Sequence, residues 1–209
     1  MSSALELAGW RRQVAELYAE VRAATDPADG HARWRAGRDA LFRDHPQSPL
    51  AADDPLRTAG LPCAPYDPGL RFLLPLLPVR DADARLELDS GADAGTTLLP
   101  AGCVELPDPL GATLDVWALQ QYGGGLFLPL RDGSSGRVSE GFASYGGGRY
   151  LLDTAKGADL GGDDEHLVVD LNFAYHPSCR YDSRWLCPLA PPGNTIAATV
   201  RAGEQLPTG

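Results

Sequence analysis

A chain of 209 residues that is 44% hydrophobic and carries a formal charge of −10 is long enough for one domain with a sizeable core and too apolar to remain disordered. That charge excludes nucleic acid and anionic membrane surfaces as partners, because both are bound through basic patches that release counterions. Of the 18 Lys and Arg residues only Lys156 is a lysine, a bias that makes any single arginine weak evidence of function.

The chain opens on MSSALELAGWRRQVAELYAEVRAA, where Leu5, Ala8, Val14, Leu17, Tyr18 and Val21 fall near a 3.6-residue spacing and predict an amphipathic helix over residues 4–24. Charges every few positions interrupt it, so it lacks the continuous apolar centre of a secretory signal. No stretch approaches the roughly 18 uncharged apolar residues of a spanning helix. The expected compartment is therefore the cytosol, where four cysteines stay reduced. Because the apolar stripe is narrow, residues 1–24 are expected to dock on a finished domain and to be dispensable for its fold. In TDPADG, Asp26 before Pro27 offers an N-cap for a second helix running through HARWRAGRDALFRD. Trp34, Arg38, Leu41 and Phe42 share one of its faces, and HPQSP ends it. The two helices form an N-terminal helical arm over residues 1–48.

Beyond a proline-rich connector the periodicity changes to two. LRFLLPLL, ARLELD, TTLLP, CVELPD, ATLDVWALQQY, GLFLPLRD, RYLLDT, HLVVDLNFAY and TIAATVRAGE are short apolar runs separated by Gly, Asp and Pro, as in Leu86/Leu88 and Leu114/Val116. No crossover helix fits between them. The expected fold is mainly β: an antiparallel β-barrel-like or sandwich domain over residues 65–205, single in overall organisation.

The stretch LPLRDGSSGRVSEGFASYGGGRYL brings a strand into Arg131 and Asp132 and returns through three glycines to Arg149. It is not a phosphate loop, since the Walker spacing and its lysine are missing. It reads either as a hairpin tied by an internal Arg–Asp pairing or as a ligand-facing loop. If Arg131 and Arg149 converge they need an anion between them, and Asp170 or Glu204 are better protein partners than Asp132, which alternates to the opposite strand face.

In DLNFAYHPSCRYDSRWLCPLAPPGN, Asp170 and Asn172 share a strand face, and His176, Cys179 and Cys187 follow. Structural zinc favours two close Cys pairs; one wide pair, with Cys63 and Cys103 distant, predicts no metal site. A catalytic cysteine needs an adjacent base and a depressed pKa, which spacing does not supply. The plain reading is a proline-stiffened loop whose largely buried cysteines and aromatics plug one end of the barrel. Asn194 suits a turn, and Glu204 could pair with an arginine.

RWRAGRDALFRDHPQSPL, FLPLRDGSSG, YGGGRYL, DLNFAYHPSCRYDSRWLCPLAPPGN and VRAGE occur in this order. Together they resemble a family of prokaryotic proteins designated domain of unknown function 1684, over about residues 31–204. The family pattern commonly reads Pro-Pro-Glu-Asn where this chain has Pro192-Gly193-Asn194, and Asn where it has His176. The resemblance implies one module and no established activity, and no cofactor is implied. The expected function is binding of a small, possibly anionic molecule, with Arg131 and Arg149 on the anionic group, Asp170 and Asn172 orienting it, and Tyr175 as an aromatic wall. Cys179, Cys187, Asn194 and Glu204 form the adjoining loop. A hydrolase or thiol-dependent enzyme using the same cavity, and a structural or partner-binding protein, are the alternatives.

Overall fold

A computed structural model describes residues 3–87 and 97–207. Two helices, α1 (Ser3–Ala23) and α2 (Pro27–Asp44), precede the β elements. Asp26 caps α2 by accepting the Ala28 amide at 2.9 Å, with Pro27 in the first turn. A one-turn helix α3 (Leu56–Ala59) interrupts the connector. Nine strands follow among the described residues: β1 (Arg71–Pro75), β2 (Leu86–Glu87), β3 (Thr97–Glu105), β4 (Thr113–Leu119), β5 (Leu126–Leu130), β6 (Val138–Ser139), β7 (Phe142–Ala143), β8 (Arg149–Asp153) and β9 (His166–Asp170).

The largest sheet has the order β2-β3-β4-β5-β8, antiparallel throughout. β1 and β9 pair separately, and β6 and β7 form a small hairpin. Isolated bridges join the first two: Leu77 pairs with Cys103 beside β3, and Tyr150 of β8 pairs with Tyr175 after β9. Backbone pairing thus runs from β9 through β1, β3, β4, β5 and β8 back to the segment following β9. The expected antiparallel barrel-like domain with N-terminal helices is present, its main sheet curled into a half-barrel.

Alternation decides what the curl encloses. Leu114 and Val116 of β4, Leu128 and Leu130 of β5 and Val169 of β9 enter the inner core. Trp117, Phe127 and Tyr150 gather on the opposite face with Leu86 and Leu98. The helices close the inner core: Leu17 and Tyr18 of α1 and Trp34 of α2 are buried in it, and Trp34 Nε1 donates to the Tyr18 hydroxyl at 3.1 Å.

Two strand boundaries differ from expectation. TTLLP and CVELPD are one strand, β3, whose register shifts between Pro100 and Gly102. TIAATVRAGE is not a strand: its Val200, Ala202 and Glu204 carbonyls accept from the Arg149 guanidinium rather than from a neighbouring backbone. Leu88 and Asp89 of ARLELD and Thr96 of TTLLP lie outside the described residues.

Leu17 and Tyr18 are buried in the inner core, so we propose that residues 1–24 contribute to the fold rather than only docking on it. A chain beginning at Asp26 should lose two core side chains, each worth about 2–5 kcal/mol, a large part of the 5–15 kcal/mol typical of a whole domain. Urea unfolding should show a much lower midpoint or no cooperative transition; an unchanged midpoint would show that α1 only docks.

Candidate functional site

The glycine-rich hairpin is organised around a buried carboxylate. Asp132 Oδ1 accepts the Ser134 hydroxyl at 2.9 Å and Oδ2 accepts the Val200 amide at 2.6 Å. Arg149 Nη2 lies 3.4 Å from Oδ2, and both side chains are fully buried. Burial lowers the Arg149 pKa and the Asp132 charge opposes that shift. Gly148 makes the entry to β8 at φ +93°, where an added Cβ would meet the Leu130 carbonyl at 2.5 Å. Arg131 turns away and donates to the Gly146 carbonyl. Arg131 and Arg149 therefore do not converge on one point, and Arg149 takes Asp132 rather than Asp170 or Glu204. β5 ends at Leu130, so the strand alternation that separates Asp132 from Arg131 does not govern its direction.

Glu204 forms a second buried centre. Its Oε1 accepts from Arg38 Nε at 2.7 Å and faces Arg38 Nη2 at 2.6 Å. Its Oε2 accepts the His176 amide at 2.7 Å and the Tyr181 hydroxyl at 3.3 Å. The His176 ring accepts the Tyr145 amide at Nε2, which puts its proton on Nδ1, 3.8 Å from Glu204 Oε2. Burial, then the charges of Arg149, Arg180 and Arg38, hold His176 well below the ordinary histidine pKa. His31 is also buried, against the Asn172 carbonyl at 3.0 Å, and burial lowers it to about 4.

Asp170 and Asn172 act together at the end of β9. Asp170 Oδ1 accepts both the Asn172 amide at 3.0 Å and its Nδ2 at 2.7 Å, while Oδ2 accepts the Tyr66 hydroxyl at 3.3 Å. Asn172 also exchanges two 2.8 Å bonds with the Asp67 backbone. The pair pins the connector to the barrel. Asn194 joins β4 to β5 by donating to the Asp115 and Pro129 carbonyls, each at 2.8 Å. Cys179 and Cys187 are partly buried in the loop.

Asp170 borders a cavity of about 310 Å³ beside Arg71. Tyr175 faces a second one. It lines a cleft of about 150 Å³ with Tyr18, Arg38, Tyr150, Asp153 and Cys187, between the helices and the cysteine loop. The Arg38 guanidinium stands 4.8 Å above the Tyr175 ring. The Tyr150 hydroxyl donates to the Pro188 carbonyl at 2.6 Å and Asp153 takes Lys156 at 2.6 Å. The Tyr175 hydroxyl has no hydrogen-bond partner among the described residues. Arg38, Tyr18 and Asp153 escaped the sequence reading as site residues. One signal was there for Arg38: a cation on a helix face otherwise formed by Trp34, Leu41 and Phe42, where a charge needs a buried partner.

Residues 57–205 match the family described as Protein of unknown function (DUF1684). The chain is a member of the DUF1684 family. No curated protein matches it. Among solved structures, the uncharacterized protein from gene locus rrnAC0354 of Haloarcula marismortui, determined by solution NMR, is 28% identical with a TM-score of 0.58, over 82% of this chain and 90% of that one. The DUF1684 match spans both buried centres from the Asp132 and Glu204 sides, while Arg38 and Tyr18 lie before it.

Two predictions test these centres. Glu204→Gln should cost about 3–5 kcal/mol, because it leaves Arg38 buried without a counter-charge. Adding Arg38→Met should recover part of that loss in a urea-denaturation double-mutant cycle; additive losses would deny the coupling. For His31 and His176, a lowered folded pKa means that their stabilisation is complete above the unfolded value of about 6.5 and is lost as pH falls through the window down to about 4 for His31 and lower for His176. Between pH 7 and 5 the unfolding free energy should drop by up to about 1.4 kcal/mol per pH unit per histidine. His176→Asn should lessen this slope, and an identical slope in that variant would refute the assignment.

Proposed function

We propose that this DUF1684 protein is a small-molecule binding module whose ligand occupies the cleft beside Tyr175. The observation that carries the reading is the Tyr175 hydroxyl, a hydrogen-bonding group left without a protein partner in a chain that satisfies Asp132, Asp170, Asn172 and Glu204 internally. Groups of that kind orient ligands in otherwise apolar pockets. The cleft adjoins an open, mainly apolar groove of about 500 Å³ through Trp10, Lys156, Ser178 and Trp185, which border both. Together they suit a molecule with a compact polar end and a larger apolar or aromatic body.

The ligand's polar end is neutral in this reading. Arg38 and Lys156, the cations bordering the cleft, are paired with Glu204 and Asp153, so an added anion would compete with an existing carboxylate. This replaces the anion-binding role expected of Arg131 and Arg149. An enzymatic reading finds less support: burial pushes the Cys179 thiol up to about 11, and the His176 Nε2 that a thiol would need is occupied by the Tyr145 amide.

Native mass spectrometry of gently purified protein, followed by thermal-shift screening of neutral aromatic and hydroxylated compounds, tests the proposal. The expected result is a compound that raises the melting temperature of the wild type and does so several-fold less effectively with Tyr175→Phe, whose own melting temperature stays near wild type. Ligand-induced shifts identical in the two proteins would move the site elsewhere.

A further inference from the structure

Cys179 and Cys187 lie eight positions apart in the loop that walls the cleft, and the fold brings them into contact. The Cys179 amide donates to Cys187 Sγ at 3.4 Å, which places that sulfur within about 5 Å of the Cys179 Cα. Burial raises the Cys179 pKa, and the neighbouring Cys187 sulfur raises it further. Both residues are partly exposed, which gives a small reagent access to them. Disulfides join Cα atoms roughly 4.4–6.8 Å apart, and rotation of the Cys179 side chain brings the sulfurs together with little movement of the backbone. The other two cysteines sit in different surroundings: Cys63 Sγ faces His31 at 3.7 Å, and buried Cys103 faces the Pro78 carbonyl.

We propose that Cys179 and Cys187 are a reversible dithiol–disulfide site, oxidised by low-molecular-weight disulfides of the glutathione type and stapling the cleft wall when closed. One cysteine, as thiolate, attacks a sulfur of glutathione disulfide, forming a protein–glutathione mixed disulfide and releasing one glutathione thiolate. The second cysteine loses its proton and attacks the protein sulfur of that bond, releasing the second glutathione. Two electrons and two protons pass from the protein to two glutathione thiols, and a dithiol reductant reverses the exchange. The staple closes the segment that carries Trp185 and leads into Pro188, whose carbonyl holds the Tyr150 hydroxyl at 2.6 Å. Oxidation therefore stiffens one wall of the cleft whether or not a ligand occupies it. Because the reaction passes through a thiolate and burial holds Cys179 largely protonated at neutral pH, exchange is slow there and faster in alkali.

The test is peptide mapping of the full chain after incubation with glutathione disulfide, acid quenching and alkylation of the remaining thiols. Trypsin cuts after Arg180 and Arg184, so the two cysteines fall in separate peptides, 157–180 and 185–201. The expected product is these two peptides joined, two hydrogens lighter than their sum, formed faster at pH 9 than at pH 7. Dithiothreitol should reverse it, and Cys63 and Cys103 should remain alkylatable after denaturation. The oxidised protein should melt several degrees higher than the reduced one. A persistent glutathione adduct on either cysteine would overturn the proposal, because it would mean the second thiol does not reach the first. Linkage to Cys63 or Cys103, an intermolecular bond, or unreacted thiols at pH 9 would equally overturn it.

Discussion

The Arg38–Glu204 ion pair spans 166 positions of sequence, and the walls of the cleft are assembled around it. Arg38 fixes α2, the His176 amide fixes the segment after β9, and the Tyr181 hydroxyl fixes the cysteine loop, all on one carboxylate. The Glu204 backbone adds further ties, its amide to Ala174 at 2.8 Å and its carbonyl to Arg149 at 3.1 Å. A buried ion pair is a poor source of stability by itself, since desolvation offsets much of the attraction. What it supplies here is position: with both oxygens occupied, a displaced partner leaves a charge in a dry site, and alternative packings of helix against barrel are disfavoured accordingly.

The second centre applies the same logic to the chain's C-terminal segment. Residues 195–204 alternate apolar side chains without lying in a sheet, and the reason is Arg149. One guanidinium collects carbonyls from Val200, Ala202 and Glu204 and stands against Asp132, which in turn holds the Val200 amide. A buried cation thus satisfies the Val200, Ala202 and Glu204 carbonyls, while neighbouring backbone pairs with the stretch at Thr195, Ile196, Ala198 and Gly203. Ile196, Val200 and Ala202 still enter the inner core, so the segment contributes apolar area as a strand would. The motifs FLPLRDGSSG, YGGGRYL and VRAGE are therefore parts of one device, whose members must be retained together because each satisfies another's buried polar group. The Gly193 departure lies outside that device: an added Cβ would stand 3.4 Å from Asp115 Oδ2 and 3.8 Å from Arg80 Nη2, beside an Arg80–Asp115 pair bonded twice at 2.9 Å.

How much of this was legible in the sequence follows from which forces act locally. Helix α2, its Asp26 cap and the alternating strands were readable because side-chain period and capping chemistry are properties of neighbouring residues. Leu114/Val116 and Leu128/Leu130 face inward as the period of two requires. The partners of the charges were not readable. A hairpin tied by an internal Arg–Asp pairing is one of the two readings of that stretch, but the period of two ranks Asp132 behind Asp170 and Glu204, and β5 stops one residue before Arg131. The sequence offered Glu204 several arginines and no means of choosing Arg38 among them. The cleft was illegible for the same reason: Tyr18, Arg38, Asp153 and Cys187 come from four separate segments, and only closure of the barrel end brings them to Tyr175.

Electrostatics narrow what such a cleft can recognise. Burial lifts the Tyr18, Tyr150 and Tyr175 hydroxyls above the ordinary tyrosine range and keeps His176 neutral, so at neutral pH these four groups are uncharged. Arg38 itself is matched by Glu204. Lys156 is likewise matched by Asp153, and a net charge of −10 repels an anion at long range. Selectivity then rests on shape and on hydrogen bonds. Tyr18 is occupied by Trp34 and Tyr150 by Pro188, which leaves the Tyr175 hydroxyl and the Trp185 indole N–H, unpartnered among the described residues, to choose among molecules of similar size. A compound that bonds to either satisfies a polar group the protein leaves open, whereas one that covers it with apolar surface strands that group at a cost of about 1–3 kcal/mol.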